Sequence, residues 1–195
     1  MASTSPNIVV VAGPNGSGKS TAAPALLRDY LGIIEFVNAD VIAQGLSGFR
    51  VESVAMQAGR IMLTRLRELV RQRVDFAFET TLASRTFVPW LRQLRDSDYR
   101  VHLLFLWLPS PELAIARVAA RVQQGGHHVP DETIRRRYHA GLRNFFRLYQ
   151  SVVDSWILFD NASREGHKLI ASRIEDEEVQ VVNQTLWDSI QGQYA

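Results

Sequence analysis

Short, almost wholly apolar runs alternate along the chain with longer stretches in which apolar positions recur every three or four residues. The apolar runs are NIVVVA (7–12), IIEFVN (33–38), VDFAFE (74–79), RVHLLFLWL (100–108) and SWILFD (155–160). Runs of this length without polar alternation predict strands buried on both faces of a parallel sheet. Helical periodicity covers Lys19 to Tyr30, Val51 to Arg73, Thr86 to Arg95, Ser110 to Gln123 and Pro130 to Gln150. Ser110-Pro111-Glu112 marks the start of the fourth with a capping hydroxyl, a proline at the first helical position and an acid in the first turn. The order βαβαβαβαβ predicts one α/β domain over 1–195, an open parallel sheet with helices on both faces. After Asp160, KLIASRI and EVQVV predict a hairpin across an acidic turn, IEDEEV, and TLWDSIQ predicts a closing helix.

The first strand runs into Gly13-Pro14-Asn15-Gly16-Ser17-Gly18-Lys19-Ser20-Thr21, which matches G-x-x-x-x-G-K-[ST] between a strand and a helix. Glycines let consecutive backbone N–H groups turn toward phosphate oxygens, and the helix beginning near Lys19 directs its positive end at them. Lys19 then reaches the β- and γ-phosphates of ATP, and Ser20 is the expected Mg²⁺ ligand. Other nucleotide machines fit less well. A transporter-type ATPase needs a strand ending in Asp-Glu, whereas WILFD ends in Asp160-Asn161, and Leu46-Ser47-Gly48 matches that group's signature loop only faintly. A GTPase guanine reader of the N-K-x-D type is absent, because Lys19 and Lys168 are the only lysines.

Ligands of open α/β sheets gather beyond the carboxyl ends of the strands. The second strand ends in Asn38-Ala39-Asp40 and the third in Glu79-Thr80-Thr81. A kinase that phosphorylates an alcohol needs a carboxylate beside the acceptor oxygen, to orient it and accept its proton. Asp40 is the candidate base, with an N-cap for a helix starting at Val41 as its structural alternative. Glu79 could hold a Mg²⁺-bound water or an acceptor hydroxyl, Thr80 and Thr81 add hydroxyls, and Arg85 could meet an anionic part of the acceptor. Farther on, Arg117 and Arg121 share a helix face, Gly125-Gly126 forms a hinge, and Arg135-Arg136-Arg137 opens the next helix. The segment 117–138 thus reads as a lid that folds guanidinium groups over ATP. His127 and His128 read as polar turn residues, since no further His or Cys ligand stands nearby.

Charge sharpens this picture in one respect. Net charge is +2, yet 20 of the 22 basic residues are Arg, and eight of them lie between Arg100 and Gln150. Such a basic middle fits small phosphates better than nucleic acid, because no aromatic-and-basic recognition motif accompanies it. The chain has no cysteine, which excludes disulfides and thiolate metal sites. MASTSPN has neither a basic n-region nor an apolar h-region, and every apolar run is too short to cross a bilayer. The expectation is a soluble, cytoplasmic protein with no membrane partner.

These pieces together resemble the zeta-toxin group of P-loop kinases, whose relatives include chloramphenicol phosphotransferase-like enzymes. The matching segments are GPNGSGKST, NAD at 38–40, FETT at 78–81, RVAARVQQGGHHVPDETIRRRY at 117–138 and LFDNAS at 158–163. The resemblance implies an ATP-dependent kinase with a five-stranded parallel sheet in the order 2-3-1-4-5, acting on the 3′-hydroxyl of the sugar of UDP-N-acetylglucosamine or on a related metabolite. It puts the base on Asp40, the acceptor-binding acid on Glu79, and the phosphate-contacting arginines on Arg121 and on Arg136 or Arg137. LFDNAS would lie near the adenine, with Asn161 and Arg164 as contacts. An antitoxin-like partner is the corresponding protein-binding expectation. The competing reading is a nucleotide-binding switch that acts through a protein partner with little kinase activity, docking through IEDEEV and TLWDSIQ.

Overall fold

In a computed structural model that describes residues 5–48, 50–163 and 166–195, β1 (Asn7–Ala12) lies at the centre of the sheet. It pairs in parallel with β3 (Phe76–Thr80) on one side and β4 (Arg100–Trp107) on the other. Beyond these lie β2 (Phe36–Val37) and β5 (Ser155–Asp160), also parallel, so the parallel strands follow the expected order 2-3-1-4-5. The C-terminal hairpin extends this sheet: β6 (Lys168–Arg173) and β7 (Gln180–Val181) add antiparallel strands beyond β5, making seven among the described residues.

Burial explains the apolar runs. Ile8, Val10, Phe76, Phe78, Val101, Leu103 and Phe105 share one face and are essentially inaccessible to solvent. Each contributes about 1.5–3 kcal/mol of hydrophobic stabilisation. Val9, Val11, Ala77 and Leu104 face the opposite side, against Ala23 and Leu27. On the first face, α7 (Gln184–Tyr194) closes the core by stacking Trp187 on Trp156, with centroids 5.6 Å apart and planes 7° apart.

Two predicted elements are redrawn. The run 33–38 yields a strand of only two residues, because Ile33 is instead tied to Leu27 by a backbone hydrogen bond of 2.9 Å, and the ladder with β3 pairs Phe36 and Val37, with Glu35 O accepting from Ala77 N at 2.8 Å at its start. The helix predicted from Lys19 splits at its proline: α1 (Lys19–Pro24) continues as a wider π-type winding over Ala25–Tyr30. Proline lacks the N–H that would close the normal turn. The remaining helices are α2 (Ala39–Leu46), α3 (Ala55–Gln72, entered by a tight turn at Val51–Val54), α4 (Phe87–Asp96), α5 (Pro111–Gln123) and α6 (Asp131–Asn144, continued by a π-type turn to Tyr149). Ser110 caps α5 as its sequence predicts, its Oγ accepting from Leu113 N at 3.2 Å. No helix among the described residues is long and apolar enough to cross a membrane.

Candidate active site

The loop 13–18 leaves β1 and feeds α1, and Lys19 is folded back into it. Its Nζ donates to Pro14 O at 2.9 Å and stands 3.6 Å from Glu79 Oε1. Burial holds the Lys19 ammonium below the usual lysine range, opposed by the carboxylates of Glu79 and Asp40. Register brings Glu79 there: in the parallel pairing of β1 with β3, Val11 is opposite Glu79 and Ala12 opposite Thr80.

Glu79 is the hub of a small network. Its Oε2 accepts from Ser20 Oγ and from Asn38 Nδ2, both at 2.7 Å. Asn38 is engaged at both ends, since its Oδ1 accepts from Asp40 N at 2.8 Å and from Val41 N at 3.4 Å. Asn38 is therefore the cap of α2, which begins at Ala39. This corrects the alternative role considered for Asp40: it lies inside the first turn, and its side chain is 46% exposed. The Ser20 hydroxyl and the Glu79 carboxylate offer adjacent hard oxygen atoms, the donor chemistry Mg²⁺ prefers.

Two cavities meet at these residues. The larger, of about 310 Å³, is lined by the phosphate-type loop (Asn15, Gly16, Gly18, Lys19, Ser20 and Thr21) and by Arg117 and Arg121 of α5. The smaller, of about 200 Å³, is lined by Asn38, Thr80, Thr81, Phe87 and Arg137 among others. Asn15, Lys19, Asp40 and Glu79 line both. An anion-holding loop and a carboxylate shared with a second, polar chamber can hold a polyphosphate on one side and a hydroxyl on the other.

Of the arginines considered, Arg121 lines the loop cavity and donates to His127 O at 3.1 Å. Arg137 lines the strand-end cavity, where burial lowers its pKa and the Asp40 charge raises it. Arg135 is paired instead with Glu112 on α5. Arg136 is exposed and borders neither cavity. Arg85 is likewise exposed outside them. Asn161 lies beneath the loop: its Nδ2 donates to Ser17 O, and its Oδ1 meets His167 Nδ1 at 2.7 Å. The amide braces the loop from below, and Arg164, the other expected base contact, lies outside the described residues.

Sequence reasoning gave no specific role to several residues that shape this site. Arg117 donates to Asn161 O at 2.8 Å and to Ala162 O at 2.7 Å, tying α5 to the turn after β5 while lining the loop cavity. The four-residue spacing from Arg121 was its one signal. The turn after β3 is held from α6 and its continuation: Asn144 Nδ2 donates to Leu82 O at 2.7 Å and Tyr149 Oη to Ser84 O at 2.7 Å. A buried Asn on the apolar face of a helix is the sequence mark of such a clamp. Tyr138 Oη, donating to Leu108 O at 2.6 Å, fixes the middle of α6 against the chain just past β4.

A family model described as an AAA domain matches residues 8–143, a span that carries the loop, the strand-end acids and the arginines of α5 and α6 up to Arg143. The chain belongs to the AAA domain family. An uncharacterized protein of Haemophilus influenzae is 28% identical to this AAA domain chain over 126 residues, 65% of this chain and 88% of that one. In fold, the chain resembles a chain of the AvrRxo1-ORF1:AvrRxo1-ORF2 complex with sulphate ions, with a TM-score of 0.76 and 19% identity, covering 95% of this chain and 63% of that one. The same complex with ATP gives 0.74 and 18%, covering 96% and 64%. A chain of the PezAT chromosomal toxin-antitoxin system of Streptococcus pneumoniae gives 0.65 and 16%, covering 100% and 82%. This AAA domain chain thus spans less than two thirds of the AvrRxo1 chains it matches. At these identities the likeness is one of fold, and the fold is the kinase-type P-loop sheet that the zeta-toxin resemblance implies.

Proposed function

We propose that this protein is an ATP-dependent kinase that transfers the γ-phosphoryl group to a hydroxyl of a small metabolite, a sugar nucleotide such as UDP-N-acetylglucosamine being the acceptor class of choice. The observation that carries the reading is the meeting of the two cavities at Asn15, Lys19, Asp40 and Glu79. A nucleotide site alone needs no second chamber. The loop amides, Lys19 and Arg121 hold the triphosphate, with its γ-phosphate toward Asp40. Phosphoryl transfer asks little covalent chemistry of the protein, so positioning and charge neutralisation do the work. Bound Mg²⁺, held by Ser20 with Glu79 beside it, would supply charge neutralisation on the β- and γ-phosphates.

Asp40 lines both chambers, so an acceptor hydroxyl in the second can donate to its carboxylate and lose its proton to it as the O–P bond forms. Arg137 and the Thr80 and Thr81 hydroxyls give that chamber a polar lining with a guanidinium besides the Lys19 ammonium it shares with the loop cavity, which fits a sugar bearing an anionic group. An AvrRxo1 complex with ATP supports the donor, and the toxin-antitoxin description of PezAT supports looking for an antitoxin-type protein partner. The deciding experiment incubates the protein with γ-labelled ATP and Mg²⁺, first with UDP-N-acetylglucosamine and then with a metabolite extract. Label should appear in an acid-stable phosphorylated sugar nucleotide. Release of inorganic phosphate alone, with no labelled metabolite in either mixture, would overturn the kinase reading.

A further inference from the structure

The turn between α5 and α6 carries adjacent histidines that the structure treats differently. His128 is exposed, with its Nδ1 3.9 Å from Glu52 Oε1. His127 turns inward: its side chain is only 9% exposed and its Nε2 stands 3.7 Å from Asp40 Oδ2. Nothing about a polar turn residue requires that burial.

The turn is locked in this position through Arg121. The Arg121 guanidinium donates to His127 O at 3.1 Å, and Gly126 N donates to Arg121 O at 3.0 Å. Gly126 lies so flat on the arginine that a Cβ there would stand 2.6 Å from Arg121 Cγ and 3.0 Å from Arg121 O. Only glycine permits that approach. Two residues past His127, Val129 is buried in the core and anchors the far side of the turn. The same arginine that lines the loop cavity therefore carries the imidazole to the carboxylate that lines both cavities.

We infer that His127 is a positioning residue: through it the lid turn holds the Asp40 carboxylate aligned on the acceptor chamber, an inference that rests on the proposed kinase reading. Asp40 needs such a partner. It is half exposed on the first turn of α2, and two cations and an imidazole approach it from three other elements: Lys19 of α1, Arg137 of α6 and His127 of the turn. Lys19 is committed to Pro14 O and Glu79, and Arg137 lines the acceptor chamber. His127 approaches from the turn that Arg121 holds, so it links the state of Arg121 to the orientation of the base. A separation of 3.7 Å is longer than a hydrogen bond, and catalytic contacts that are long without substrate commonly tighten when substrates bind. Phosphates that draw on Arg121 would move the turn and, with it, the carboxylate.

The test has two arms. In the first, protein carrying ¹⁵N-labelled histidine is compared with its Asp40→Asn variant by NMR of the ring nitrogens. The His127 signals should move while those of His102, His139 and His167 stay in place; unmoved His127 signals would overturn the inference, whatever the enzyme's activity. In the second, phosphorylation of UDP-N-acetylglucosamine is measured for His127→Leu and His127→Gln. Loss of alignment should lower kcat of the leucine variant by about 30-fold, since misplacement by an ångström can cost a hundredfold. ATP KM should stay within about twofold, and glutamine, which keeps a donor near Nε2, should recover most of kcat. A parallel loss of kcat and ATP KM in both variants would mark a residue that merely builds the lid and would also overturn the inference. If the unmodified protein phosphorylates no acceptor, the kinase reading fails on its own, and the ring-nitrogen arm still decides the contact.

Discussion

The two halves of the proposed site are built in different ways. The donor half is built around one contiguous stretch, 13–21, whose shape comes from backbone conformation, with Asn161 bracing it from beneath and Arg117 and Arg121 of α5 lining the cavity beside it. Its acceptor counterpart is gathered from separate elements: Asn38 and Asp40 from the start of α2, Glu79 to Thr81 from the end of β3, and Arg137 from α6. Local geometry protects the first; a network of side-chain hydrogen bonds holds the second. The donor half should therefore fail through its backbone or its one lysine, whereas the acceptor half should lose function residue by residue with nucleotide binding intact.

Asp40→Asn is the sharpest way to separate the halves. General-base catalysis contributes roughly 10²–10⁴-fold, so acceptor phosphorylation should fall by that amount. Asn is isosteric and the α2 cap is Asn38, so the fold and ATP affinity measured by calorimetry should be unchanged. Full activity in this variant would remove Asp40 from the mechanism and erase the functional distinction between the chambers. Lys19→Ala should break the donor half instead. Losing a preorganised cation on the moving phosphoryl group costs about 10²–10³-fold in turnover. Here ATP affinity should fall along with turnover, because Lys19 lines the loop cavity itself.

The backbone claim is tested by Gly13→Ala. Gly13 has φ +140°, and an added Cβ would lie 2.3 Å from Leu106 O, a carbonyl fixed within β4. Overpacking together with a disfavoured backbone conformation should cost about 3 kcal/mol. For a domain of this size that is a fall of roughly 10 °C in Tm, readable by thermal melting. A variant that melts with the unmodified protein would show that the loop can shift at no cost and that the donor half is not backbone-locked.

The same contrast governs what could be read from sequence. The donor half was legible because its motif is contiguous and lies at a strand-to-helix junction, and the central strands because burial on both faces leaves an unbroken apolar run. Asp40 and Glu79 were legible as strand-end acids, without the knowledge that they line a shared wall. The network was not legible. Asn38 takes the cap through local bonds to Asp40 N and Val41 N while its Nδ2 reaches Glu79 across 41 residues, and Asn144 reaches Leu82 across 62. Ile33 and Ile34 looked like strand, yet Ile33 is buried beside the winding after α1 while Ile34 is 80% exposed. Periodicity over six residues cannot distinguish a strand from a turn whose one apolar side chain is buried. His127 looked like any turn histidine, because its inward orientation depends on the packing of Gly126 against Arg121.

Asn38 makes the smallest and most discriminating prediction, because its amide serves both halves of the comparison at once. Its Oδ1 caps α2 and its Nδ2 holds Glu79, which in turn holds Ser20. Asn38→Ala removes both functions and should cost about 1 kcal/mol for the cap alone. Asn38→Asp keeps an acceptor for Asp40 N and Val41 N but turns the donor facing Glu79 into a second carboxylate oxygen. If the cap is all that matters, the aspartate variant should melt with the unmodified protein, since Asp and Asn cap almost equally well. If the network matters, repulsion between the carboxylates should push Glu79 off Asn38, and the aspartate variant should be no more stable than the alanine variant. Denaturant unfolding of the three proteins at pH 7 distinguishes these outcomes. The network account predicts the second, with ATP affinity changed by no more than about fivefold, because the loop amides that hold the nucleotide do not depend on Asn38.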